Sequence, residues 1–249
     1  YDSFHIMSEI YEQIDEIVDF AAENTDLYVE KFSMGSSQGD NGMESLDMPY
    51  LIVAKSEAAV DKWQDIKEEA ESDPSGLLKK IENGALGDYQ VPVMYSNVHA
   101  NEVAASDGVL AFTWMLLNAA AGDGTLDYNQ LTGFTAEGEA ELAKQMGPEG
   151  QEGSVAVPDL VSDTATYLGY IKGENADGTT ASNSTVVDLE KYYTMETQNV
   201  TVDELLDEVF FIIVPEENVE GRTYLTRTSS GGFDLNRDNS FQTQAETQN

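Results

Sequence analysis

His99 and Glu102 stand three residues apart in His99-Ala100-Asn101-Glu102, directly after the apolar stretch from Val91 to Asn97. A histidine and a glutamate at this spacing, on a turn or a first helical turn, can aim at one point. An imidazole nitrogen and a carboxylate are two of the three protein ligands of a His2Glu catalytic zinc site. Taken alone, a His-x-x-Glu match is weak, and a surface pair explains it as well. A second cluster, Asp234-Leu235-Asn236-Arg237, follows the Gly231-Gly232 turn. Asn236 and Arg237 offer amide and guanidinium donors, and the guanidinium fork suits a carboxylate. Asp234 could accept the second ring N–H of a metal-bound histidine. Arg227 adds a further cation, and the bland alternative is a structural Asp–Arg pair capping a turn.

Those basic residues carry information because the chain has few of them. Among 249 residues there are 12 Lys and Arg against 47 Asp and Glu, a formal net charge of −35. Such a surface repels phosphate, which argues against general nucleic-acid binding and against anionic membranes. Charged residues make up only 24%, so the imbalance reflects scarce cations, a habitat or solubility signature before a steering device. With no Cys, the chain has no disulfide framework, no thiol chemistry and no Cys-ligated metal. No apolar run approaches the ~20 residues of a membrane span and no signal peptide is evident, so the expectation is a soluble or already processed chain.

The elements that must position these groups follow from periodicity. Ile6, Ile10, Ile14, Ile17 and Ala21 recur at helical spacing, so a helix is predicted over 4–23 with Ser3 as cap and His5 on its surface. Strands are predicted over 27–33, 50–54 and 91–97, with helices after Ser56 and over 103–121. Residues 208–214 (Glu-Val-Phe-Phe-Ile-Ile-Val) read as a central strand covered on both faces. From about 122 to 200 the chain is Gly-, Asp- and Thr-rich, with a helix predicted near 136–146, and reads as an insertion or lid. Alternating helices and strands give an α/β class with a mostly parallel sheet, whose strand ends are where sites form.

Four motifs in this order resemble the zinc carboxypeptidase family of metallopeptidases. Gly35-Ser36-Ser37 resembles the family's Gly-x-Ser turn, and residues 93–102 resemble the strand that leads to the first two ligands. Residues 210–215 with Asn218-Val219-Glu220-Gly221 resemble the strand and its Asn-Pro-Asp-Gly turn. Phe233-Asp234-Leu235-Asn236-Arg237 resembles the Gly-Val-Asp-Leu-Asn-Arg segment. The resemblance covers most of the chain outside the insertion.

By that resemblance His99 and Glu102 are zinc ligands and Asp234 orients His99. Arg227 polarises the scissile carbonyl and stabilises its oxyanion, while Asn236 and Arg237 hold a substrate's terminal carboxylate. The implied fold is a three-layer α/β sandwich with a mixed, mostly parallel central sheet. The family also needs a third histidine ligand and a catalytic glutamate further on, yet the only other histidine is His5. The chain therefore reads as the N-terminal part of one catalytic domain, residues 1–249, with the sandwich incomplete and the missing part a partner needed for stability. Asn101 stands where digestive members carry Arg, and Val219 and Glu220 replace the Pro and Asp of the turn.

The expectation is a secreted or cell-surface bacterial metallocarboxypeptidase acting on peptides with a free C-terminus, inactive as written. An aspartoacylase-like zinc deacylase or amidohydrolase is the enzyme alternative. A non-catalytic binding module on a degenerate peptidase scaffold is the alternative of another class.

Overall fold

A computed structural model describes residues 4–140, 189–238 and 240–248. The chain divides into two units, Tyr1–Leu126 with Val200–Asn249, and Asp127–Asn199.

The first unit is built on a four-stranded sheet in the order β1-β2-β6-β3. Its strands are β1 (Tyr28–Ser36), β2 (Asp47–Ala54), β3 (Val91–Ser96) and β6 (Val209–Val214). β1 pairs antiparallel with β2, β2 antiparallel with β6, and β6 parallel with β3. The sheet is mixed, but it is not mostly parallel among the described strands. Residues 37–46 between β1 and β2 hold no helix, so the chain reverses directly and the neighbours run in opposite senses. Only β3 and β6, which flank a long crossover, pair in parallel.

Side-chain alternation sends the two faces of the sheet to different helices. Leu51, Val53, Phe211 and Ile213 pack with Ile10, Ile14 and Ile17 of α1 (Met7–Asn24) and with Leu110, Leu116 and Leu117 of α4 (Val103–Ala121). Ile52, Ala54 and Phe210 on the opposite face pack with Val60 of α2 (Glu57–Ser72). Each fully buried aliphatic side chain in these clusters is worth about 1.5–3 kcal/mol against exposure. β6 is central and covered on both faces, as its unbroken apolar run predicts. α3 (Pro74–Glu82) is capped by Asp73, whose carboxylate accepts from Gly76 N–H at 3.0 Å.

Pro49 is tolerated in β2, although β2 is not an edge strand. β6 pairs only with Leu51, Ile52 and Val53, so no ladder bond on that side is lost at position 49.

Several expectations change. α1 starts at Met7 rather than at residue 4, with the Ile6 N–H held by Glu9 Oε2 at 2.8 Å; the proposed cap Ser3 lies outside the described residues. His5 is not a helix-surface residue. It precedes the helix, with its side chain 15% exposed and its Nδ1 against Asp107 Oδ1. Buried Arg222 binds the carbonyl of His5 through Nε at 3.1 Å and Asp107 Oδ2 through Nη2 at 3.3 Å. α4 is also long and apolar enough, by length and composition alone, to cross a membrane, with mean hydropathy 1.3 over an 18-residue stretch of it. Leu110, Leu116 and Leu117 of this helix are buried in the core.

In the second unit β4 (Thr125–Phe134) pairs with β5 (Tyr193–Thr201). Thr132 bonds Thr194 and Asn129 bonds Thr197, so the two chains run in opposite senses. Tyr192 and Tyr193 pack with Leu131 and Phe134. Residues 136–140 are helical, with Thr135 Oγ1 accepting from Gly138 N–H; the rest of the helix predicted to 146 lies outside the described residues. A short helix, α5 (Leu189–Tyr192), precedes β5.

Candidate functional site

β3 ends at Ser96, and the next residue is held on both sides by the exit of β6. Asn97 N–H donates to Val214 O at 3.3 Å, and Asn97 O accepts from Glu217 N–H at 2.8 Å. From there a tight turn, closed by Glu102 N–H on His99 O at 2.7 Å, delivers the chain to α4. Glu102 is the N-cap residue of α4, but its side chain makes no capping bond. A carboxylate that could satisfy the helix's free N–H groups points to His99 and Arg227 instead.

Arg227 arrives by a different route. After β6, α7 (Val219–Tyr224) is capped by Asn218 and ends on Leu225 in the left-handed region, φ 55°; the intervening crossover helix α6 (Val202–Glu208) precedes β6. Asn218 Oδ1 accepts from Gly221 N–H at 2.9 Å and its Nδ2 donates to Arg227 O at 3.1 Å. A Cβ on Gly221 would stand 2.5 Å from Asn218 Nδ2 and 2.7 Å from Thr226 O, so this turn requires glycine. Asp234 follows the Gly232 turn (φ 82°) and caps a 3-10 turn at Leu235–Arg237 through Asn236 N–H at 3.2 Å.

The four side chains meet. His99 Nδ1 lies 3.0 Å from Glu102 Oε1, and Arg227 Nη2 lies 2.8 Å from His99 Nε2. Arg227 Nη1 reaches Glu102 Oε1 at 3.3 Å, and its Nε reaches Asp234 Oδ2 at 3.0 Å. Asp234 Oδ1 stands 3.6 Å from His99 Nε2. A guanidinium only donates, so His99 Nε2 is the acceptor and the ring proton sits on Nδ1, facing Glu102. The hydrogen bond from Arg227 holds the Asp234 carboxyl below its usual range.

Asn236 and Arg237 reach this cluster through their backbone N–H groups on Asp234 and not, among the described residues, through side-chain hydrogen bonds. Both are exposed, and Arg237 Nη1 donates to Asn236 O at 3.2 Å. Among the described residues no group of three or more His, Cys, Asp or Glu could hold a metal ion, so His99 and Glu102 fit two places of a ligand set and no more.

Beneath the cluster lies a buried polar layer that motif reading missed. Asn97, Ser106, Glu216, Asn218 and Glu220 are each no more than 3% exposed. Burial opposes ionisation of Glu220, but hydrogen bonds from Ser230, Ser37 and Gly39 outweigh it and lower its pKa. Ser37 Oγ donates to Glu220 at 2.7 Å and Ser230 N–H at 2.9 Å, which ties the end of β1, where a Gly35-Ser36-Ser37 turn was expected, to the floor of the site. The C-terminal turn is organised by Asp238, whose pKa is held down to about 2: burial opposes this, and bonds from Thr243, Thr247 and Gln244 prevail. A short helix, α8 (Ala245–Gln248), follows. The available sequence signal was two acids, Glu216 and Glu217, placed directly after a buried strand.

Comparison of the chain with protein-family models, with curated proteins and with solved structures gives no match.

Proposed function

We propose that this chain carries part of the centre of a zinc-dependent peptidase of the carboxypeptidase type, on a three-layer α/β sandwich. The observation that supports it is the meeting of His99 Nδ1 and Glu102 Oε1 at 3.0 Å, with Asp234 on the opposite ring nitrogen. Two ligand atoms each about 2.0–2.2 Å from one metal are themselves about 3–3.5 Å apart, so the pair is spaced as two zinc ligands are. Zinc held there supplies a Lewis acid and a bound water of lowered pKa. For Nδ1 to hold the metal the ring proton has to move to Nε2, the nitrogen that Asp234 faces at 3.6 Å, and Asp234 would then orient the ring. Arg227, whose guanidinium spans Glu102 and Asp234, would bind a carbonyl oxygen as negative charge develops on it. Asn236 and Arg237, exposed on the adjoining turn, are assigned the peptide's terminal carboxylate. A third ligand and a general base have to be supplied by residues other than those described.

One observation favours a second reading, a binding module without catalysis. Arg227 places its own positive charge against both His99 and Glu102, so a resident cation already offsets part of the cluster's negative charge.

Zinc titration of the chain, followed by calorimetry, separates the two. The peptidase reading expects one weak equivalent that is lost in His99→Ala and in Glu102→Ala and kept in His5→Ala. Heat unchanged by His99→Ala would sink it and leave the binding module.

A further inference from the structure

Glu216 sits at the exit of β6 and is 1% exposed. Its Oε2 accepts from Asn97 Nδ2 at 2.9 Å and from Ser106 Oγ at 3.1 Å; its Oε1 accepts from Asn218 N–H at 3.1 Å. Asn97 Nδ2 also reaches Ser106 Oγ at 3.0 Å. These three partners are distributed in a telling way along the chain. Asn97 and Ser106 flank residues 98–105, the segment that carries His99 and Glu102. Asn218 holds the carbonyl of Arg227 at 3.1 Å. One carboxyl group is thus bonded to both ends of one half of the site and, through a single side chain, to the backbone of the other half.

We infer that Glu216 is a positioning residue, which fixes the His99–Glu102 turn against the Arg227 backbone and so sets the spacing of the imidazole, the carboxylate and the guanidinium. The inference rests on the reading of those groups as the working ones. No hydrogen bond among the described residues joins Glu216 to any of the three functional groups, so its action is through Asn97, Ser106 and Asn218.

Energetics point the same way. Removing a carboxyl group from water is costly before its partners compensate, and an apolar side chain of similar size is often the more stable choice. What an apolar residue lacks is three directed bonds to three separate segments. Burial pushes the Glu216 pKa up to about 8, so near neutrality the group is largely protonated. The bracket then operates without a buried net charge.

The chain's two histidines make the test direct, since long-range proton–nitrogen correlation spectra of the labelled chain contain only two imidazoles. His99→Asn assigns them. In the wild type His99 is expected as a single tautomer with the proton on Nδ1. Glu216→Met, which keeps length and apolar bulk, is expected to lose that single-tautomer signature and give the mixture of a free imidazole. The His5 signals, set by Asp107, should stay in place and show that the fold persists. A wild-type His99 signature in Glu216→Met overturns the inference. Should both imidazoles change together, the fold has gone, and Ser106→Ala decides: it cuts the α4 arm alone and suits a helix interior. A shift confined to His99 supports the inference, and no shift overturns it. Neither metal nor turnover enters this readout. Failure of the chain to bind zinc would sink the peptidase reading and leave the role of Glu216 standing.

Discussion

Asn218 Nδ2 donates to the carbonyl oxygen of Arg227 at 3.1 Å, so the residue that caps α7 also holds the backbone of the guanidinium-bearing residue. The same amide accepts from Gly221 N–H and leaves no room for a Cβ there. Helix capping and site geometry are therefore carried by one buried side chain. Asn218→Ala should lower stability by about 1–3 kcal/mol, the sum of a lost cap and a carbonyl left without its donor. Asn218→Ser, which restores a capping oxygen, should recover part of that in urea denaturation. Equal losses in the two variants would mean that the cap contributes nothing.

The Arg227–Asp234 bond gives a signed dependence on pH. Asp234 has its folded pKa lowered, so its contribution to stability is present above the ordinary aspartate range and is lost as pH falls through the folded value. Arg227→Met should therefore be less stable than wild type at neutral pH, with the difference closing at low pH. Carboxyl carbon titration should show Asp234 moving back up in the variant. An unmoved Asp234 would contradict the ion pair.

Glu216 has the opposite sign. Its pKa is raised to about 8 by burial, above the 4.5 of a free glutamate, so between those values the unfolded chain gives up a proton that the folded one keeps. Stability attributable to this group then falls as pH rises from about 4.5 to 8 and is flat above. Glu216→Gln, which cannot ionise, should lose that slope, with a wild-type-to-variant change on the order of a few kcal/mol across the window. Parallel stability curves for the two proteins would show that the carboxyl is ionised in the fold.

The Arg237 side chain is exposed and donates to the carbonyl of its neighbour Asn236, while its charge helps to hold the Asp234 pKa down. Arg237→Ala should stay within about 0.5 kcal/mol of wild-type stability. Any loss in binding a peptide with a free C-terminus, relative to its amidated form, is then a direct effect on carboxylate recognition. Equal loss on both forms would remove Arg237 from that role.

With a net charge of −35 the folded chain repels itself. Added salt shortens the reach of that repulsion from about 10 Å at 0.1 M to about 3 Å at 1 M, so the thermal midpoint should rise over this range. A flat or falling midpoint would show that local ion pairs such as Lys55 with Asp207 outweigh the general field.

The sequence by itself determined the elements whose signals are local. α4 begins and ends at the residues expected, because an apolar helical run stops at Gly122, and β6 is legible as an unbroken apolar strand. It also brought forward His99, Glu102, Arg227 and Asp234, since scarce cations and spaced acids stand out in a chain so poor in Lys and Arg. The tertiary structure decided what depends on distant partners. Strand order placed β6 between β2 and β3, which no periodicity encodes, and it made two of the three pairings antiparallel. It half-buried His5 against Asp107 and Arg222, more than 100 residues away, where a helix-surface residue was expected. It also buried Glu216. A glutamate after a strand looks solvent-bound in sequence, because burial of a carboxyl group depends on donors that only the fold can assemble: Asn97, Ser106 and Asn218.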